Sequence, residues 1–208
     1  MIVLKIGGSV LFPDGPDTAN IRKLKDVVGA LGDKVAIVVG GGRFNSIYSE
    51  QLRKLGVNEA FNDLVGIDFS HLNAKIIANF IGGTYVRNFE NIGGVSLPVT
   101  GGQTPGQSTD AVAAVMAELT NGKLVLVKDV GGIFTDNPKK NPKAELIREM
   151  SFKQLLEFAS REEFGAKAYG VMDLQACRIV ARSKIQTFVC GIDTIEKALK
   201  GKAGTIIR

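Results

Sequence analysis

Three short apolar runs in this chain each lead into a glycine-rich turn. Residues 1–6 end at Gly7-Gly8-Ser9, residues 34–39 end at Gly40-Gly41-Gly42, and residues 95–99 precede the stretch 101–109, GGQTPGQST. Apolar runs of this length predict buried β-strands. Because the carboxyl ends of parallel strands lie along one edge of a sheet, the turns predict a ligand site at that edge.

The segments between these runs have the periodicity of helices. One apolar stripe comprises Ile21, Leu24, Val27, Val28 and Leu31, with Asp17 or Thr18 as its N-cap and Gly32 at its end. Further helices are predicted over residues 43–55, 58–80, 110–119, 151–160, 172–183 and 194–199, and further strands over 84–87, 123–128, 185–190 and 205–207. This alternation predicts an α/β fold, with a largely parallel sheet covered by helices on both faces.

Residues 129–150 are the one long stretch without clear periodicity, which favours a functional loop or lid. The length of 208 residues favours a single domain, residues 1–208. A soft division near residue 122 would leave one lobe over residues 1–122 and another over residues 123–208. Each lobe would then carry ligand-binding elements of its own.

Composition narrows the classes of partner. The 26 Lys and Arg residues exceed the 21 Asp and Glu residues, but the densest basic stretch is only Lys139, Lys140 and Lys143, so nucleic acid binding is not expected. No apolar run approaches the roughly 20 residues of a membrane span, and the first residues lack the features of a secretory signal. We therefore expect a soluble, cytoplasmic protein. Cys177 and Cys190 have no metal-ligand spacing and are expected to be buried and reduced.

The motifs leave few reaction classes open. Neither GxxxxGK[ST] nor a GxGxxG dinucleotide fingerprint occurs, His71 is the only histidine, and the acidic residues do not gather at metal-ligand spacings. A magnesium ion would therefore enter with nucleotide phosphates. Phosphoryl transfer to an anionic acceptor needs no protein nucleophile. Lys5 can place a positive charge on the transferring group, and Asp110 can hold Lys5 through an ion pair.

Seven parts of the chain resemble, in order, the amino-acid kinase superfamily and, within it, the uridylate kinases of the archaeal type. They are LKIGGSV (4–10), VVGGG (38–42), FNDLVGI with LNA (61–67 and 72–74), VTGGQTPGQSTDAVAA (99–114), GIFTDNPKKNPKA (132–144), VMDLQACRIVARSKI (171–185) and GTII (204–207). The resemblance implies a three-layer α/β/α sandwich and transfer of the γ-phosphoryl group of ATP to UMP. It also implies a homo-oligomer, a hexamer built as a trimer of dimers.

The resemblance further implies roles for particular residues. The residues that match the catalytic group are Lys5, Gly8 and Asp110. Those that match the UMP site are Gly41, Asp63, Gln103, Thr104, Pro105, Gly106, Gln107, Ser108 and Thr109, with Asp63 on the nucleoside sugar. Those that match the ATP site are Gly7, Gly8, Ser9, Gly42, Arg43, Lys128, Phe134, Asn137, Lys139 and Lys140, with Phe134 against the adenine.

The chain departs from the family pattern at four positions. Ser46 and His71 stand where arginines are usual, and Gly131 and Asn137 stand where aspartates are usual. Two other functions therefore remain open: a kinase for another small phosphate monoester, such as isopentenyl phosphate, and a non-catalytic nucleotide or oxyanion binder. Ser46 argues against the first, because enzymes that act on isopentenyl phosphate usually carry histidine there. Lys5 and Asp110 argue against the second.

Overall fold

The computed structural model describes residues 1–32, 34–163 and 172–208. The described helices are α1 (Gly8–Leu11), α2 (Thr18–Leu31), α3 (Gly42–Lys54), α4 (Glu59–Ile81), α5 (Thr109–Leu119), α6 (Phe152–Glu163), α7 (Leu174–Arg182) and α8 (Ile195–Leu199). The described strands are β1 (Ile2–Ile6), β2 (Val35–Val39), β3 (Thr84–Tyr85), β4 (Pro98–Thr100), β5 (Lys123–Val127), β6 (Ile133–Phe134), β7 (Leu146–Ile147), β8 (Glu149–Met150), β9 (Thr187–Cys190) and β10 (Thr205–Ile207). Short 3₁₀ turns occupy Phe89–Ile92 and Ile192–Thr194.

The centre of the described structure is an eight-stranded sheet with the order β3-β4-β2-β1-β5-β9-β10-β8. Every neighbouring pair is parallel except β9 with β10. In β1, Ile6 lies opposite Val39 of β2 on one side and Val127 of β5 on the other. The three strands therefore end level with one another, and the segments that follow them leave the sheet at the same edge.

Helices cover both faces of the sheet because side chains alternate between the faces along each strand. In β1, Val3 packs into a core that includes residues of α5, α6 and α7, whereas Leu4 and Ile6 pack into a second core with residues of α2, α4 and α8. Lys5 has the same parity as Val3, so its side chain is directed to the face that α5 covers. The predicted α/β class, with a mostly parallel sheet between two helical layers, is confirmed.

Short polar side chains begin the helices where the sequence places them. Asp17 accepts a hydrogen bond from the backbone nitrogen of Asn20 at 3.0 Å and is the N-cap of α2. The same arrangement begins α4, α5 and α7, at Asn58, Ser108 and Asp173. The helix predicted over residues 172–183 starts at Leu174, because Asp173 is its N-cap. Residue 171, the first residue of the motif over 171–185, lies outside the described residues.

Several strands are shorter than predicted. The strand expected over residues 95–99 begins only at Pro98, because Leu97 has a positive φ of 48° and cannot continue an extended strand. Residues 129–150 contain the β6–β7 hairpin, and β8 joins the main sheet beside β10. The sequence does not predict β6, β7 or β8, because strands of two residues are too short to show alternation. It does not predict α1 either, because a helix of four residues is too short to show helical periodicity. The strand predicted over residues 84–87 is present but ends at Tyr85.

Both cysteines are buried and neither forms a disulfide, as expected. Burial raises the pKa of the Cys190 thiol to about 12. Among the residues that the structure describes, we find no helix with both the length and the apolar character to span a membrane.

The first two glycine turns touch each other through their backbones. A Cβ atom placed on Gly8 would lie 2.1 Å from the backbone nitrogen of Gly42 and 2.6 Å from its Cα atom. Gly42 itself has φ +75° and contacts Phe12. Only a residue without a side chain allows this approach, which explains the glycine at the start of α1.

We therefore expect Gly8→Ala to lower the free energy of unfolding by about 2–3 kcal/mol, because the added methyl group must push two backbone segments apart. Gly29→Ala is the matched control. Gly29 lies within α2 with open space around its Cα atom, so alanine there should stabilise the protein by about 0.5–1 kcal/mol. Urea denaturation of both variants measures the difference. Equal stability of the Gly8→Ala variant and the wild-type protein would contradict the close approach.

Candidate active site

The glycine turns that follow β1, β2 and β4 lie together at one edge of the sheet, as the sequence predicts. Gly7 donates a backbone hydrogen bond to the carbonyl oxygen of Val127 at 3.0 Å, and Gly40 donates one to the carbonyl oxygen of Ile6 at 3.1 Å. These bonds continue the strand pairing beyond the strand ends. The backbone of the turns is thus fixed relative to the sheet.

Helix α4 fastens two of the turns through buried side chains. The Asn73 side-chain amide donates to the carbonyl oxygen of Gly40 at 2.9 Å. The Ser70 hydroxyl accepts from the backbone nitrogen of Gly102 at 2.7 Å and donates to the carbonyl oxygen of Ile67 at 2.6 Å. The edge of the sheet is therefore built from strand ends and from one face of α4.

A buried carboxylate lies between two lysines beneath this edge. Asp110, in the first turn of α5, is 8% exposed. Its Oδ1 atom lies 2.7 Å from Nζ of Lys5, and its Oδ2 atom accepts a hydrogen bond from Nζ of Lys128 at 3.0 Å. Lys5 is itself 8% exposed, and Lys128 directly follows β5. The ion pair that the sequence analysis expects between Lys5 and Asp110 is present.

The charges of this group depend on one another. Burial alone would raise the pKa of Asp110, but the ammonium groups of Lys5 and Lys128 outweigh burial and hold that pKa well below its usual range. Asp110 is therefore a carboxylate at neutral pH. Because the carboxylate carries one negative charge and the two lysines carry two positive charges, the cluster has a net charge of +1 and suits an anion.

Beside Lys5 lies the larger of two cavities at the sheet edge, which we call the Lys5 cavity, with a volume of about 600 Å³. It is lined by Lys5, Gly8, Ser9, Pro13, Asp14, Gly40, Gly41, Gly42, Arg43, Asn45, Ser46, Thr109, Asp129 and Lys139. Its other two cations are also paired with carboxylates. Arg43 lies 3.0 Å from Asp14, and Lys139 forms an ion pair with Asp129.

The second cavity, of about 260 Å³, lies between α3, α4 and the stretch 101–109, and we call it the Asp63 cavity. It is lined by Gly41, Asn45, Ser49, Asn62, Asp63, Gly66, Ile67, Ser70, Gly102, Gln107, Ser108 and Thr109. Asp63 accepts a hydrogen bond from the backbone nitrogen of Gly106 at 2.7 Å, which holds the stretch 101–109 against α4. Ser108 donates to Asp173, and this bond joins the start of α5 to the start of α7.

Some predicted site residues lie away from both cavities. Gln103 points to the neighbouring loop, where its amide donates to the carbonyl oxygen of Arg87 at 2.9 Å. Thr104 and Pro105 are exposed at the tip of the stretch 101–109. The remaining residues outside the two linings are Gly7, Gly106, Asp110, Lys128, Phe134, Asn137 and Lys140. Phe134 lies in the β6–β7 hairpin. Asn137 begins a turn, in which the backbone nitrogen of Lys140 donates to the carbonyl oxygen of Asn137 at 3.0 Å.

The sequence analysis did not identify most of the residues by which α3 and α4 line the Asp63 cavity; of these it named only Asp63. Asn62, Gly66 and Ser70 lie one turn apart on α4 and share one face of it. The four-residue spacing of these polar or small side chains is a signal of a shared face that can be read from the sequence. Asn45 and Ser49 show the same spacing on α3, but nothing local indicates that the two helices face each other across a cavity.

Of the four residues that depart from the family pattern, His71 and Gly131 have a local structural explanation. His71 is buried, and its Nδ1 atom lies 3.2 Å from the hydroxyl of Tyr85. Burial and the nearby Arg87 lower the pKa of His71, so the ring is neutral at pH 7. Gly131 has φ +72°, which glycine adopts without strain. Ser46 lines the Lys5 cavity.

No group of three or more His, Cys, Asp or Glu side chains that could hold a metal ion occurs within the described ranges. The Lys5 cavity offers the carboxylates of Asp14 and Asp129, and each of them faces a basic side chain. The oxygen ligands that Mg²⁺ prefers would therefore come mainly from a bound polyphosphate.

Comparison with known proteins assigns the chain to a family. Residues 1–86 and 86–191 match the Amino acid kinase family. The chain is 35% identical to the uridylate kinase of Thermococcus sibiricus over 99% of this chain and 98% of that protein. It is 37% identical to the uridylate kinase of Thermofilum pendens over 100% of this chain and 97% of that protein.

Solved structures agree with the sequence relatives. The crystal structure of uridylate kinase from Archaeoglobus fulgidus superimposes with a TM-score of 0.85 and 32% sequence identity, and the match covers 100% of this chain and 99% of that one. The chain therefore belongs to the amino acid kinase family and is similar over its whole length to the archaeal uridylate kinases.

Proposed function

We propose that this protein transfers the γ-phosphoryl group of ATP to UMP and forms UDP and ADP. One observation carries the proposal: the Lys5 cavity and the Asp63 cavity share Gly41, Asn45 and Thr109 in their linings. Ligands in the two cavities would meet at these three residues, beside the ammonium group of Lys5. The full-length similarity to uridylate kinases supports UMP as the acceptor.

The acceptor occupies the Asp63 cavity in this proposal. Its phosphate lies at the shared residues, and its nucleoside extends along α4 so that Asp63 accepts a hydrogen bond from the sugar. The remaining acceptor contacts come from residues 103–109, of which Gln107, Ser108 and Thr109 line the cavity. Gln103, Thr104, Pro105 and Gly106 support the shape of this stretch.

ATP occupies the Lys5 cavity, with its phosphates on the backbone of the glycine turns. The donor contacts on this side are Gly7, Gly8, Ser9, Gly42 and Arg43. The remaining donor contacts are Lys128, Phe134, Asn137, Lys139 and Lys140, which come from residues 123–208. A division into an acceptor-side lobe, residues 1–122, and a donor-side lobe, residues 123–208, is part of the proposal.

The reaction needs no nucleophile from the protein. A phosphate oxygen of UMP attacks the γ-phosphorus of ATP, the bond from that phosphorus to the bridging oxygen breaks, and ADP leaves with the bonding electrons. Negative charge spreads over the transferring group, and the ammonium of Lys5 stabilises it there. Asp110 orients Lys5 and Lys128 through the contacts described above, so both charges are in place before ATP binds.

Mg²⁺ bound to ATP is the cofactor in this proposal. It would neutralise part of the phosphate charge of the donor. Asp14 and Asp129, the two carboxylates in the lining of the Lys5 cavity, would be the protein oxygens available to hold it.

We also propose that copies of the chain associate through α3 and α4 as the dimers of a hexamer, in the cytoplasm. Nine of the eleven exposed large apolar side chains among the described residues lie between residues 44 and 80. On α4, Leu72, Ile76 and Phe80 follow one another at the four-residue spacing of a single helix face. A second copy of this face would bury them, and sedimentation of the wild-type protein checks the mass.

A coupled assay that detects ADP tests the proposed function. The wild-type protein is supplied with ATP and Mg²⁺ and with UMP, CMP, isopentenyl phosphate, aspartate or glutamate in turn. We expect turnover with UMP at the highest kcat/KM. Higher kcat/KM with another phosphate monoester would replace the acceptor, and nucleotide binding without turnover of any acceptor would contradict a kinase.

Lys5→Ala should lower kcat by about 100-fold or more and leave the affinity for UMP nearly unchanged, because the charge of Lys5 matters most as the phosphoryl group transfers. The fold should persist, since Asp110 keeps its hydrogen bond to Lys128. Lys23→Ala is the control: Lys23 also lies 2.7 Å from an aspartate, Asp193, but at the surface. Steady-state kinetics measure both variants, and a loss of less than threefold for Lys5→Ala would exclude the role.

Asp63→Asn should raise the KM for UMP by about tenfold and leave the KM for ATP unchanged, because a neutral amide accepts a weaker hydrogen bond from the sugar. The amide oxygen can still accept from Gly106, so the stretch 101–109 should stay in place. Asp68→Asn, which changes an exposed carboxylate of the same helix outside both cavities, is the control. A rise in the KM for ATP instead would mean that the two nucleotides occupy the opposite cavities.

A further inference from the structure

We propose that Asn45 binds the phosphate group of the acceptor nucleotide at the point where the two cavities meet. This inference rests on the proposed function, because it concerns the acceptor of the same transfer. Asn45 lies in α3 immediately after the second glycine turn, and none of the motifs described above includes it.

The position of Asn45 follows from helix geometry. Side chains in the first turn of a helix lean towards its N-terminus. The side chain of Asn45 therefore lies over Gly41, the residue before α3. Gly41, Asn45 and Thr109 are the residues common to both cavity linings. If the acceptor phosphate is to contact the γ-phosphate of ATP, it must therefore bind next to these three residues.

Two glycines make room for the Asn45 amide. A Cβ atom placed on Gly41 would lie 2.9 Å from Nδ2 of Asn45, and one placed on Gly66 of α4 would lie 3.2 Å from its Oδ1. The amide thus packs between Gly41, in the turn after β2, and Gly66 of α4. This packing holds the side chain in place.

Part of the hydrogen-bonding capacity of the Asn45 amide is unused within the described structure. Oδ1 of Asn45 is buried and has no hydrogen-bond partner among the described residues. Buried side-chain oxygens in native proteins nearly always have a partner, so an exception at the junction of two cavities points to a ligand. The amide can also turn by 180° about its last torsion, which lets its NH₂ group donate to a phosphate oxygen while the packing is kept.

The charges around the Asp63 cavity require such a donor. Its lining contains no lysine or arginine, and its one ionisable residue is Asp63, a carboxylate. Lys5 and Arg43 line the other cavity and are paired with Asp110 and Asp14. Arg53, whose guanidinium interacts with the charge of Asp63, lies outside both linings and is paired with Glu59. A phosphate dianion on this side must therefore be held by neutral donors, and Asn45 is the side-chain amide at the junction.

The test compares UMP with uridine, which lacks the phosphate, by calorimetry on the wild-type protein and on the Asn45→Ala and Asn45→Asp variants. We expect Asn45→Ala to weaken UMP binding by about tenfold. Asn45→Asp has the same size but adds a negative charge beside the phosphate, so it should weaken UMP binding by about 100-fold. Uridine affinity should stay within twofold of the wild-type value in both variants.

Gln51→Ala is the matched control, because it removes a side-chain amide from the same helix outside both cavities. It should leave both affinities unchanged. Equal weakening of UMP and uridine by the Asn45 variants would overturn the inference, since it would show a structural role or a nucleoside contact. Unchanged UMP affinity in both variants would overturn it as well.

Measuring UMP phosphorylation together with UMP binding tests this inference separately from the proposed function. A wild-type protein that phosphorylates UMP, with variants that bind UMP normally, would overturn the inference alone. A wild-type protein that binds UMP through Asn45 but does not phosphorylate it would overturn the function alone. A wild-type protein that does not bind UMP would overturn both.

Discussion

The buried carboxylate of Asp110 holds the site together, because it is the one negative charge between two lysines that come from different strands. Its oxygens lie 2.7 Å from Lys5 and 3.0 Å from Lys128, so it fixes both ammonium groups relative to α5. Removing this carboxylate would leave the buried ammonium of Lys5 without its counter-charge, a loss that typically costs about 3–5 kcal/mol. The positive charge that a phosphoryl group would meet is therefore part of the folded structure and is in place before any ligand binds.

The glycine turns supply the other half of the site. Gly8 and Gly42 approach so closely that no side chain fits between them, and the cavity at Lys5 lies directly beside this contact. Helix α4 fixes the same turns from the other side through Asn73 and Ser70. The same sheet edge thus holds a cavity lined by three cations and a second cavity whose one charged lining residue is Asp63. Two nucleotides that meet end to end would need this asymmetry, since the donor carries more phosphate charge than the acceptor.

Much of this architecture could be predicted from the sequence because it depends on local patterns. The alternation of β1 places Lys5 and Val3 on the same face of the sheet, and the glycine turns after β1, β2 and β4 are visible in the sequence as Gly-rich stretches that follow apolar runs. The wall formed by Asn45 and Asn62 could not be predicted, because it requires α3 and α4 to face each other, which is a property of tertiary packing. The orientation of Gln103 could not be predicted either: in a loop, its amide chooses among nearby carbonyl groups, and Arg87 is 16 residues away in the chain.

A crystal structure with UMP and a non-hydrolysable ATP analogue would test the central claim most directly. The account predicts that the phosphate of UMP and the terminal phosphate of the analogue meet beside Gly41, within hydrogen-bond distance of Nζ of Lys5, while Asp110 still contacts both lysines. Phosphates bound elsewhere on the molecule, or a Lys5 ammonium that contacts neither of them, would contradict it.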